Sequence, residues 1–108
     1  MLKKTVIFFV ISLILYTVVP FTYAAKGNIV YTKDDCDYFI VETPLGFTLL
    51  EWFGGTLPSK GDVIVGDFES YGLKDIYNLT SDDEMSVYIE DYWLSKEDAI
   101  ENYFDQCN

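Results

Sequence analysis

Chemistry in this chain has to come from carboxylates, phenols and two cysteines. There is no histidine among its 108 residues. That removes the commonest general base, the commonest zinc ligand and every Ser-His or Cys-His dyad. A Ser-Lys pairing exists on paper at Ser59-Lys60 and Ser95-Lys96, but neighbours along a turn or a first helical turn do not face one another. The eighteen Asp and Glu residues could furnish a glycosidase-like carboxylate pair. In a chain this acidic, however, two carboxylates approach each other by chance, so a small carboxylate-based hydrolase is only the third expectation and no carboxylate pair stands out as catalytic.

Two acidic clusters could bind a hard cation. Asp34, Asp35 and Asp37 surround Cys36, and Asp82, Asp83 and Glu84 follow Ser81. Both are oxygen-ligand sets on expected loops, as calcium requires. Neither has the Asp-x-Asp-x-Asp-Gly spacing with a distant Glu, so solvated loop charge is the plainer reading. A calcium-stabilised structural domain is the alternative, and no other cofactor is expected. The remaining candidates are rings: Trp52 and Phe53 beside Gly54-Gly55, Tyr71 in a later turn, then Tyr88, Tyr92 and Trp93. Converging among carboxylates, they would make a surface for stacking sugars or holding cations. Turned inward, they are simply the core of a small domain. Tyr88 separates the two readings, because strand alternation sets it opposite Val87 and Ile89.

Charge narrows the partners. Seven lysines and no arginine face eighteen carboxylates, for a net charge of −11. Such a chain repels phosphate backbones and offers no guanidinium fork, so nucleic-acid binding is excluded. Disorder does not follow from the acidity, since aromatic residues make up 18% of the chain.

The first residues bear on destination. Lys3 and Lys4 precede an apolar run from Val6 to Val19, and Thr22-Tyr23-Ala24 is a small-x-small cleavage site. This is a secretory signal peptide over residues 1–24. The competing reading is an uncleaved anchor, against which Pro20 and the following alanines argue. Residues 25–108 then form one small exported domain, periplasmic or extracellular, with no membrane insertion after cleavage. In that compartment Cys36 and Cys107 are expected to pair. The bridge would close most of the domain, worth roughly 4 kcal/mol on the chain-entropy estimate.

The elements that must position these groups read mainly as strands. Ile29-Val30-Tyr31 is a short edge strand. Tyr38 to Glu42, a Pro44-Leu45-Gly46 turn and Phe47 to Trp52 make a hairpin. Val63 to Phe68 follows a Lys60-Gly61-Asp62 turn and is apolar on both faces, which predicts a strand covered on both sides. Gly66 within it suits a bulge or barrel corner. Leu73 to Leu79 is a further strand, and Met85 to Glu90 alternates cleanly, with Met85, Val87 and Ile89 inward. The period then changes. Ser95 is placed as N-cap, Asp98 at the third helical position and Leu94 against Ala99 as a staple. Ala99, Ile100, Tyr103, Phe104 and Cys107 fall on one apolar stripe. Asn78-Leu79-Thr80 is a glycosylation acceptor triplet.

The span Cys36 to Leu94, with its Lys60-Gly61-Asp62 turn, Val63-Ile64-Val65-Gly66-Asp67-Phe68 strand and Glu90-Asp91-Tyr92-Trp93-Leu94 ending, resembles small exported bacterial proteins. The Gly-Asp turn before an apolar strand is similar to OB-fold and SH3-like barrels. The resemblance implies a fold and no activity. The expectation is therefore a five- or six-stranded, mainly antiparallel OB/SH3-like barrel with a C-terminal helix, stapled by Cys36–Cys107, with the helix pinned across one end or open side. Its expected role is a non-enzymatic binding module for a cationic, glycan or protein ligand.

Overall fold

A computed structural model describes residues 25–107; the signal sequence read over residues 1–24 lies outside the described residues. Six strands and one helix follow in order: β1 (Ala25–Thr32), β2 (Tyr38–Thr43), β3 (Gly46–Gly55), β4 (Val63–Gly66), β5 (Gly72–Asn78), β6 (Asp83–Leu94) and α1 (Lys96–Gln106). The strands close into a barrel in the order β1-β2-β3-β6-β5-β4, every pair antiparallel. Two three-stranded meanders are thus joined by the distant pairs β3–β6 and β1–β4. The mainly antiparallel barrel with a C-terminal helix is borne out, with six strands.

The barrel interior is filled by one side of each strand. Phe39 and Val41 of β2, Leu50 of β3, Ile64 of β4, Ile76 of β5 and Met85, Val87 and Ile89 of β6 are buried together with Ile29 and Phe68. The alternation read in Met85 to Glu90 is the observed one. Small residues complete the packing. A Cβ on Gly66 would strike the Ile76 side chain, so this glycine makes room for a neighbouring strand's isoleucine rather than for a bulge. Small barrels depend on such pairing of large with small inward residues.

Three expectations about the strands are corrected. β1 is no edge strand: it pairs with β2 on one side and β4 on the other and closes the barrel. β4 ends at Gly66, and it is not covered on both faces, because only Ile64 is buried while Val63 and Val65 look outward, half-exposed. β6 runs on past Glu90 to Leu94.

The helix forms a second, smaller core on the outside of the barrel. Ile40 of β2 and Leu49 of β3 stand opposite one another in register and so share the outer face. They are buried with Ala99, Tyr103 and Cys107, flanked by Val30, Tyr38, Phe47 and Leu94. Ser95 caps the helix, its hydroxyl accepting from the Asp98 backbone N–H at 3.1 Å, and Glu97 and Asp98 complement the positive end of the helix dipole. Leu94, expected as a staple against Ala99, packs against the cluster that contains Ala99. The helix starts beside the β2–β3 turn and runs back over β2 and β3 until Cys107 reaches Cys36, to which it is disulfide-bonded with Cα atoms 5.7 Å apart. It therefore lies along the barrel wall, not across an end or an open side, because the barrel has no open side to cover. The stripe is also narrower than its sequence suggests. Ile100 and Phe104 are exposed, and Ile100 lines a groove of about 290 Å³ between the helix and β1–β2.

Candidate functional site

With the helix over β2–β3, the outer face of β3, β6 and β5 is left uncovered. Register fixes what stands on it. Leu73 of β5 faces Tyr88 of β6, Tyr88 faces Glu51 of β3, and Glu51 faces Tyr38 of β2. Residues opposite one another share a face, so these four form a row across the wall. Alternation along β6 puts Ser86 and Glu90 on the same side as Tyr88. Phe53 stacks on Tyr88 with ring centroids 6.3 Å apart. Leu73 is 65% exposed and Phe53 56%, so this is an apolar band open to solvent.

A second set of rings lies further along β6. Tyr92 packs against the inner core at the barrel end. Tyr71 leans on it at 4.9 Å and Trp93 at 5.3 Å edge-on, and these two flanking rings are each 61% exposed. Trp93 has φ 57°, a left-handed conformation that is costly for a bulky side chain. It arises where the β3–β6 register slips between Phe47 and Leu49, a bulge that turns the indole out of the barrel. Gly46, at φ 132°, accommodates the bulge, since a Cβ there would lie 3.0 Å from the Leu94 carbonyl oxygen.

The six rings singled out in the sequence thus divide. Phe53, Tyr71 and Trp93 are exposed, Tyr88 and Tyr92 are half-buried beneath them, and Trp52 belongs to the scaffold. Its indole packs against the inner core and donates to the Thr56 carbonyl at 3.0 Å.

The carboxylates around the rings are partly organised. The Tyr38 hydroxyl lies 3.3 Å from both Glu51 Oε1 and Glu90 Oε1. Burial first, then the two neighbouring charges, push its phenol up to about 12. Such a phenol keeps its proton through neutral pH, so it orients the carboxylates and does not act as an acid or base there. Tyr71 donates to Asp91 Oδ1 at 3.4 Å, and the Asp91 charge raises its phenol too. A groove of about 190 Å³ between the helix and β6 is lined by Leu49, Glu90, Asp91, Asn102, Asp105 and Gln106. Nothing local signals this cluster, because Tyr38 and Glu90 stand 52 positions apart and only the β2-β3-β6 register brings them together.

The acidic loops are placed at the opposite end of the barrel from Trp93. Asp34, Asp35 and Asp37 lie on the β1–β2 loop, while Asp82 ends the β5–β6 loop ahead of Asp83 and Glu84 at the start of β6. Asp35 and Asp82 take left-handed turn conformations, and Asp83 Oδ1 accepts from the Glu84 N–H. Among the described residues no three acidic side chains converge as cation ligands would. Asp62 and Asp67 are scaffold. Asp62 Oδ2 accepts from the Ser59 N–H and from Asn78 Nδ2, 3.1 and 2.9 Å away. Asp67 accepts from the Glu69 N–H and the Ser70 hydroxyl and pairs with Lys74 at 3.4 Å. These bonds, led by the Glu69 N–H, hold its carboxyl below the usual range. Asn78, the first residue of the acceptor triplet, is fully buried.

Comparison with protein-family models, with curated proteins and with solved structures returned no match.

Proposed function

We propose that this protein is an exported, non-enzymatic binding module whose ligand lies on the outer face of β5, β6 and β3. One observation carries the reading. The helix covers the outer wall over β2–β3, whereas the adjoining wall leaves Leu73 and Phe53 exposed around Tyr88, and Tyr71 and Trp93 extend the exposed apolar surface to the barrel end, where they flank Tyr92. Monomeric proteins seldom leave rings and aliphatic groups grouped in this way unless something binds them. Phe53, Tyr88, Tyr92 and Trp93 are strand residues, so their positions are largely fixed before a ligand arrives and little ordering entropy is spent on binding. The Cys36–Cys107 bridge supports the export reading, since such bridges persist in oxidising compartments.

Binding to peptide and glycan arrays by the disulfide-bonded protein and by a Phe53→Ser/Tyr88→Ser variant tests the proposal. Hits seen with the wild type should disappear with the variant, while its circular dichroism stays that of the folded barrel. Equal binding by the two proteins refutes it.

A further inference from the structure

We infer that the ligand on this face is a peptide segment carrying lysine or arginine beside apolar side chains; the inference rests on the binding reading above. Charge complementarity argues for it. The face is rimmed by Glu51, Glu90, Asp75 and Asp91, and no lysine occurs in β3 or β6. The single lysine of β5, Lys74, sits on the alternate side of its strand and is paired with Asp67. A cation arriving here therefore meets carboxylates and ring faces with no competing positive charge.

Extent argues for a chain over a small ammonium. The exposed rings fall in two places: Phe53 lies on the outer wall beside Tyr88, and Tyr71 and Trp93 lie at the barrel end, where they flank the inward-packed Tyr92, four residues or about 13 Å of strand further along β6. Roughly four residues of an extended peptide span that distance, whereas a single quaternary ammonium occupies only one group of rings. Between the rings and the helix lies the groove lined by Glu90, Asp91 and Asp105. A lysine or arginine side chain entering it can keep its methylene stem against Leu49 while its charge reaches the carboxylates. Exposed rings in two places, with an acidic slot beside them, match a segment that presents apolar and basic side chains on the same face.

The test uses the purified disulfide-bonded protein and three probes: a peptide of Phe-Phe-Lys-Lys repeats, which carries both residue types on each face when extended, its glutamate counterpart, and a neutral chitin oligosaccharide. Binding is followed by tryptophan fluorescence and calorimetry at low and high salt. The lysine peptide should bind, weaken with salt and lose about tenfold in affinity in the Glu90→Gln/Asp91→Asn/Asp105→Asn variant, as three exposed charge pairs imply. The glutamate peptide should not bind. Oligosaccharide binding that is abolished by Phe53→Ser but unchanged by the triple variant would overturn the peptide inference and leave the binding face standing. If neither the lysine peptide nor the oligosaccharide binds more tightly to wild type than to Phe53→Ser, the inference and the binding face both fall.

Discussion

Replacing Tyr103 with phenylalanine should stabilise the protein. Tyr103 is fully buried on the barrel-facing side of the helix, and among the described residues its hydroxyl has no hydrogen-bond partner. Its ring packs edge-on against Tyr31 at 4.8 Å and Phe104 at 5.5 Å. Phenylalanine keeps those contacts and removes only the stranded hydroxyl. Burying a hydroxyl unpaired costs about 1–3 kcal/mol, so a gain of about 1 kcal/mol is a modest expectation. For a domain of this size that raises the Tm by about 4–8 °C. Alkaline pH supplies a second readout. Burial, and to a lesser degree Tyr31, raises the Tyr103 phenol above its ordinary value of 10.0. The neutral phenol is thus favoured in the folded state, and its contribution is complete below pH 10 and lost as pH climbs above it. The variant loses nothing there, so its advantage over wild type should widen above pH 10. The raised Tyr38 phenol acts equally on both proteins and cancels. Urea unfolding at pH 7 and at pH 10.5, with the bridge intact, measures both effects. A variant no more stable than wild type at pH 7, or an advantage that does not grow with pH, would refute the reasoning.

Three further outcomes are expected. Reducing the bridge, or the double Cys36→Ser/Cys107→Ser change, should cost about 4 kcal/mol for a loop of separation 71; an unchanged Tm would show that the bridge is no staple. Gly66→Ala should cost about 1–3 kcal/mol by forcing Ile76 aside, and Ile76→Val should recover part of it in a double-mutant cycle; additive losses would place the strain elsewhere. Expressed in a glycosylating host, the natively bridged fraction should carry no glycan on Asn78, whose side chain is buried, donates to Asp62 and accepts from the Ser81 N–H; intact mass of the folded fraction checks this, and a folded glycoform would contradict it.

What could be read in advance was local. Met85, Val87 and Ile89 announce their face by alternation alone, and Ser95 announces a helix start through its spacing to Asp98. β1 was hard to read as an interior strand because Ala25 and Gly27, its inward residues at the β4 pairing, are too small to signal burial. Val63 and Val65 mislead in the other direction, since valine suits a half-exposed outer wall as well as a core. Ile100 and Phe104 lie beside the true contact stripe, whose width is set by Ile40 and Leu49 on strands far away in sequence. The pairs β1–β4 and β3–β6 have no local signature at all, and it is β3–β6 that brings Tyr38 and Glu51 of one meander to Tyr88 and Glu90 of the other. Individual site residues were therefore visible as types, while their grouping belonged to the topology.

The shortest strand has a consequence for how this molecule comes apart. β4 has four residues, and only Ile64 and Val65 are in register with β5, making it the thinnest joint in the wall. Closure hides every strand's free backbone donors and acceptors, which elsewhere would template aggregation. Local opening should begin at this seam, and amide exchange there should outpace exchange across β3–β6. An opened seam presents β5 and the far side of β4 as bare edges to a second molecule. Concentrated solutions held near the melting temperature should therefore exchange strands or aggregate through that joint first.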